Sequence, residues 1–336
     1  MACRAQADLY VALDSRNALL QALEYGNQRN LEISVLGEGS NVICSSRVRG
    51  LVIQLCNKGR MLLERPPSES DRLTPDSDKS KNEVRVSVQA GENWHQFVSW
   101  TLQHKLRGLE NLSLIPGSVG AAPIQNIGAY GVEVKTCLES VRAIHKSSLE
   151  ERVFHNQDCQ FGYRDSIFKH KAKDWIIWEV TFCLSSSASL NTEYAELNKA
   201  WQQIGSPDDA GLVSQLICKI RQQKLPDPRK IPNAGSFFKN PVVSRQQWQD
   251  LNRQFPEMVS YPQADGTCKL AAGWLIQYAG WKGFTKNGIG VCETQALVIV
   301  NPGRCSGREI LALAKKIQQS VKAQFAVNLE IEPTVL

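Results

Sequence analysis

Several things this 336-residue chain lacks narrow its identity first. No stretch approaches the roughly 18 consecutive apolar residues of a membrane span. The opening MACRAQADLYVALDSR carries no apolar run of signal-peptide length, so a cytoplasmic protein is expected. The ten cysteines are scattered singly, without a C-x-x-C pair or zinc-ligand spacing. They read as reduced, mostly buried thiols, and no metal site is expected. Basic residues form no block, and a net charge of +6 fits an anionic small molecule as well as a nucleic acid. The five histidines all lie upstream of Ser236, which sits in NAGSFFKNP (233–241). A nucleophilic serine needs a base to take its proton. Ser236 has no histidine near it in sequence and no G-x-S-x-G elbow around it. Folding can still bring a base close, and a plain turn serine is the competing reading.

The length suits two or three cores. Asp14 and Ser15 open an apolar-rich helix expected to stop near Gly26, followed by a short ISVLG strand, the loop GEGSN, the dipeptide VI and the strand LVIQL (51–55). Residues 64–83 are rich in Pro, Ser and charge and read as a flexible insertion. VRVSVQAG alternates like a half-buried strand, ENWHQFVSWTLQHK has helical spacing, and DWIIWEVTF reads as a strand. Ser206-Pro207-Asp208-Asp209 reads as a cap, an N1 proline and two acids opening a helix that ends at Leu225-Pro226 and carries Lys224 to its end. Beyond 226 come a Ser244-x-x-Gln247 capping box, a helix KLAAGWLIQYA closed by Gly280, the strand ALVIV and a last helix over about 307–323.

Two glycine loops carry the ligand argument. In GEGSN, residues Gly37, Glu38, Gly39, Ser40 and Asn41 can turn backbone N–H groups and two side chains toward a phosphate. The loop is neither a Walker loop nor a G-x-G-x-x-G fingerprint, and a tight turn between strands would also explain it. The second loop, LIPGSVGAAPIQNIGAYGVEV (114–134), has four glycines, two prolines and one charge. If such backbone is buried, something must satisfy its N–H and C=O groups, and a large flat polar ligand could do so. The two loops together suggest an extended cofactor with a diphosphate and a ring system, although packing alone would also account for them.

LGEGSNVI, IPGSVGAAPIQNIGAYGVEV, FGYRDS, KLPDP, NAGSFFKNP, KLAAGWLI and TQALVIVN occur in the order found in the UDP-N-acetylenolpyruvoylglucosamine reductase family, which the chain resembles over about residues 30–332. The resemblance implies an α+β, three-domain flavoenzyme of the vanillyl-alcohol-oxidase type. Its parts would be two FAD-binding subdomains (1–58 and 59–225), a substrate-binding domain (226–326) and a C-terminal segment (327–336) returning to the active site. It implies non-covalent FAD, NADPH as co-substrate and UDP-N-acetylglucosamine enolpyruvate as substrate, in a monomer with no nucleic-acid or membrane partner. Ser236 is similar to the family's proton donor, Arg164 to the arginine that stabilises an enolate, and Glu332 to their acidic partner, with Glu330 competing for that role. FAD contacts are implied for Gly37, Glu38, Gly39, Ser40, Asn41, Pro116, Gly117, Gly120, Ala121, Asn126, Gly128 and Ala129. Substrate contacts are implied for Tyr163, Tyr194, Lys224, Asn240 and Gln295. The chain departs from the family in lacking an Asn-Thr-Phe segment before GEGSN, in Cys292 where many members carry histidine, and in ending soon after Glu332. Another flavin-dependent oxidase or dehydrogenase of this fold, or a non-catalytic nucleotide-sugar binder, is the alternative.

Overall fold

The computed structural model describes residues 1–63 and 82–336. The expected insertion therefore lies outside the described residues except at its last two positions, and Glu83 already begins a strand. The described chain forms two compact units. One contains Asp8–Gly39 and Arg49–Arg221; the other contains Met1–Ala7, Ser40–Val48 and Gln222–Leu336. The segment expected as a first FAD subdomain, 1–58, is divided between them.

In the larger unit, a five-stranded antiparallel sheet runs in the order Glu151–His155, Leu138–His145, Trp175–Ser185, Glu83–Gln89, Arg60–Leu63. The central strand WIIWEVTFCLS is largely buried, as expected of a strand covered on both faces. Val86, Val88, Val180 and Phe182 meet Trp94, Phe97 and Val98 of the helix Trp94–Gln103. A second sheet, including the parallel pair Ile33–Leu36 and Arg47–Leu55, packs with the helix Arg16–Gln28. Leu19, Leu23, Leu51 and Ile53 share a core there with Ile144, Ile176 and Trp178 of the large sheet. Full burial of each such aliphatic chain contributes about 1.5–3 kcal/mol.

Ser15 caps the first helix through the Ala18 N–H, but the helix runs past Gly26. At this internal position a Cβ would stand 2.9 Å from Ile33 Cδ1, which would have to shift to admit it. Ser206 is not the cap expected of it. It adopts φ +53, and the Asp209 carboxylate instead receives the Gly211 and Leu212 N–H groups at the start of Ala210–Lys224. The helix Ala195–Gln203 precedes it.

The C-terminal unit holds a four-stranded antiparallel sheet, Asn233–Ser236, Val298–Val300, Ile289–Val291 and Thr285–Lys286. The long helix Gly307–Phe325, opened by a Ser306–Glu309 capping box, packs Ile310, Leu313, Ile317 and Val321 into its core. Lys269 and Leu270 belong to the strand Cys268–Leu270, so the next helix is only Ala272–Tyr278. The Ser244 hydroxyl accepts the Gln247 N–H, but the Gln247 amide goes to Ala326 O instead of closing the box. No helix among the described residues is long and apolar enough to cross a membrane.

Candidate active site

In the larger unit the two glycine loops abut. A Cβ on Gly37 would lie 2.1 Å from Ser118 Oγ and 3.2 Å from its Cβ, so a larger residue there would force Ser118 to shift. Gly37, Ser118, Gly120 and Ala121 line a cavity of about 170 Å³ together with Val35, Leu55, Ala90, Trp175, Ile176 and Ile177, and with the lysines Lys146 and Lys173. Apolar walls beside two cations suit the nucleoside and phosphate end of a dinucleotide. The volume is too small for a whole FAD.

The second loop is held by the protein itself, through the segment AGENWH (90–95). Ala90 O accepts the Gly120 N–H and Glu92 O the Val119 N–H, while the Trp94 N–H donates to Gly117 O. Trp94 Nε1 donates to Leu112 O, and the Leu114 N–H to His95 Nδ1. Asn93 Nδ2 reaches Glu38 Oε1 at 2.7 Å, which ties in the first loop as well. At Gly120, and also at Ala121, whose N–H goes to Ser118 O, packing of the chain on itself satisfies the backbone N–H. These two can give a ligand shape but not a donor. Asn126 is completely buried. Its amide donates to Glu133 Oε2 and Gly162 O, and its oxygen accepts the Lys135 N–H. Its side chain is thus engaged with the protein scaffold. Pro116 is exposed, and Gly128 and Ala129 form a short hairpin with Val132–Glu133.

The bond from Asn126 to Gly162, with another from Ser166 Oγ to Ile124 O, fixes the FGYRDS turn against this loop. Gly162 and Asp165 close the turn by mutual backbone bonds, leaving Arg164 at φ +54. Its Nη2 donates to Gly128 O at 2.7 Å, and its guanidinium lies 5.4 Å from the Tyr163 ring centre. Tyr194 stands edge-on to Tyr130 at 5.1 Å. Burial pushes the Tyr130 phenol up to about 12.

The sequence reading missed Arg221. Its Nε is sealed from solvent without a partner among the described residues. Burial pulls its pKa down, Tyr130 and Cys218 act the other way, and Arg164 adds repulsion; an arginine nonetheless stays charged. The two guanidiniums are thus close enough to repel each other. Position 221 lies one turn before Lys224, and only the fold distinguishes it from the other cations of that helix.

In the C-terminal unit, the C-terminal segment runs beside 237–239. Glu332 N donates to Phe237 O and Lys239 N to Glu330 O, around an antiparallel bridge between Phe238 and Ile331. Phe237 and Phe238 are buried and anchor the run, while Ser236 remains exposed at the end of its strand. Ser236 and the Glu332 backbone are thus neighbours. The Glu330 carboxylate is held by Lys239 Nζ at 2.5 Å. After Pro333, Thr334–Val335 pairs in parallel with Val42–Ile43 in a separate two-stranded sheet; proline removes one ladder donor without preventing the next residues from pairing.

Ser40 and Asn41 belong to this unit, where Asn41 O accepts the Thr334 N–H. Asn240 Oδ1 accepts the Ala272 N–H, and Gln295 Oε1 accepts that of Leu297. Thr294 Oγ1 donates to Lys224 O and lies 3.3 Å from Cys292 Sγ, which connects the departing cysteine to the lysine.

Residues 227–336 match the model of the UDP-N-acetylenolpyruvoylglucosamine reductase C-terminal domain, and residues 7–148 match an FAD-binding domain. A UDP-N-acetylenolpyruvoylglucosamine reductase of Bdellovibrio bacteriovorus is 45% identical over 331 residues, covering 98% of this chain and 94% of that protein. One from Pseudomonas aeruginosa is 45% identical over 317 residues, covering 94% and 89%. The crystal structure of the enzyme from Thermus caldophilus aligns with a TM-score of 0.62 at 22% identity, over 97% of this chain and 91% of that one, and so shares the fold. The chain belongs to the UDP-N-acetylenolpyruvoylglucosamine reductase family and carries its FAD-binding domain.

Proposed function

We propose that this chain reduces UDP-N-acetylglucosamine enolpyruvate to UDP-N-acetylmuramate in peptidoglycan precursor synthesis, in the cytoplasm, with NADPH as the source of reducing equivalents and non-covalent FAD as carrier. The observation that carries this reading is the register of 237–239 against 330–332, which sets exposed Ser236 beside the Glu332 backbone. FAD bound to the chain and reduced by NADPH would supply the hydride for C3 of the enolpyruvyl ether. Ser236 Oγ–H gives the proton at C2, a task that needs no histidine triad. Charge develops on the substrate carboxylate as an enolate, so a cation there is worth more in the transition state than in the ground state. Arg164, with Arg221 nearby, supplies that cation. Glu332 assists in the same step, while Lys224, Asn240 and Gln295 hold the nucleotide-sugar as uniform binding groups. Lys224 acts as a point charge suited to phosphate.

A visible flavin spectrum tests this reading. NADPH should bleach it, and UDP-N-acetylglucosamine enolpyruvate should restore it without oxygen. Reoxidation by oxygen alone, with an alcohol or sugar as reductant, would instead make the protein a different flavin oxidase. A protein that binds the UDP-sugar without consuming NADPH would be a non-catalytic binder.

A further inference from the structure

The bonds that staple the second glycine loop to AGENWH are mostly between backbone groups, which do not titrate. The bond at His95 is different. Its Nδ1 stands 3.0 Å from the Leu114 N. A backbone N–H only donates, so Nδ1 carries no proton and the ring proton is on Nε2. Leu114 itself has φ +59, a conformation that leucine holds only when its surroundings impose it. It is the first residue of the loop whose members 118, 120 and 121 line the cavity.

The charged side chain acting on the imidazole is Arg221, from the helix Ala210–Lys224. The acids on neighbouring segments are engaged elsewhere: Glu92 with Arg60 and the Gly59 N–H, Glu38 with Asn93, and Glu110 with the Gly108 N–H. Protonating His95 would replace the acceptor for Leu114 by a donor, and would place a second cation beside a guanidinium whose Nε is already buried without a hydrogen-bond partner among the described residues.

We propose that His95 is a positioning residue, a latch that holds the flavin loop while neutral and releases it, with loss of flavin affinity, when protonated. The proposal rests on the reading of this loop as part of the FAD site. Burial first and Arg221 second hold His95 below its ordinary value. The latched form therefore has the lower pKa. Its contribution is complete above the ordinary histidine value of about 6.5 and is lost as pH falls through the latched value.

The test compares wild type with His95→Asn and His95→Leu. Asn Oδ1 can stand where Nδ1 stands and does not titrate; Leu offers no acceptor. FAD dissociation constants are measured by flavin fluorescence from pH 8 to pH 5, with circular dichroism confirming that the fold persists. Wild type should lose about tenfold or more in affinity between about pH 6.5 and 5, the equivalent of one backbone donor left unsatisfied. His95→Asn should bind near the wild-type level with a flat profile, and His95→Leu about 10- to 100-fold more weakly throughout. A His95→Asn variant that keeps the wild-type acid limb, or a His95→Leu variant with wild-type affinity, overturns the latch. Hydrogen exchange at the Leu114 amide without flavin separates this from failure of the flavin reading. If the protein binds no FAD at any pH, acid-induced loss of protection in wild type but not in His95→Asn still upholds the latch, and its absence sinks it.

Discussion

The two units treat their motif residues in opposite ways. In the larger unit the glycine-rich loop is consumed by the protein: its N–H groups at 119 to 121 end on protein carbonyls, and Asn126 spends its whole side chain on scaffold groups. In the C-terminal unit the backbone of 237–239 is equally committed, yet Ser236 stays exposed. A low-charge, glycine-rich motif is thus a statement about how closely segments pack. A motif of polar side chains on a buried aromatic anchor is a statement about what faces outward. The first should be broken by volume and the second by chemistry.

The sharpest test of that contrast is Ser236→Ala. A general acid is worth about 10²–10⁴-fold, so reoxidation by the enolpyruvyl substrate should fall by that factor in stopped flow, while FAD content and NADPH-driven reduction stay near wild type. Glu332→Gln should behave similarly. Equal losses in both half-reactions would make Ser236 a structural residue.

Volume comes next. Gly37→Ala places a Cβ against Ser118 Oγ, and overpacking of this kind costs about 1–3 kcal/mol. Urea unfolding should report that loss, with weaker FAD binding beside it, and Ser118→Gly should restore much of both. Were Gly37→Ala silent, the loops would not abut as described. Smaller again is Lys224→Ala. A contact equally strong in ground and transition states raises KM more than it lowers kcat, about tenfold for one charge-assisted bond. A pure kcat defect would remove Lys224 from the nucleotide site.

How much was legible in advance follows the same division. Local chemistry was readable: Ser15 as a cap, the strand around VRVSVQ, the last helix, and the side-chain motifs that carried the family resemblance. What failed depended on partners far along the chain. Gly26 looked like a helix terminus because its close neighbour, Ile33, is supplied by the fold. Ser206 lost its expected cap role to Asp209, whose carboxylate reaches two N–H groups. AGENWH reads as a strand end and a helix start, and nothing local marks it as the staple between two loops. Arg221 resembles any helical cation until the burial of its Nε is known.

The smallest effect concerns the rival carboxylate. Glu330 and Glu332 could not be separated by strand alternation, since residues two apart share a face, but their surroundings differ. The Glu330 carboxylate pairs with Lys239 while its side chain stays 68% exposed, and ion pairs so open to water contribute only about 0–1 kcal/mol. Glu330→Gln should therefore shift the urea midpoint slightly, the more so at low salt, and leave kcat within about twofold of wild type. The backbone bond from Lys239 N to Glu330 O survives the substitution, so the register that sets Ser236 beside Glu332 survives too. Steady-state assays on Glu330→Gln and Glu332→Gln, with flavin content equalised, decide the matter. An inactive Glu330 variant beside an active Glu332 variant would reverse the two roles, and would mean that the ion pair with Lys239 opens when substrate binds.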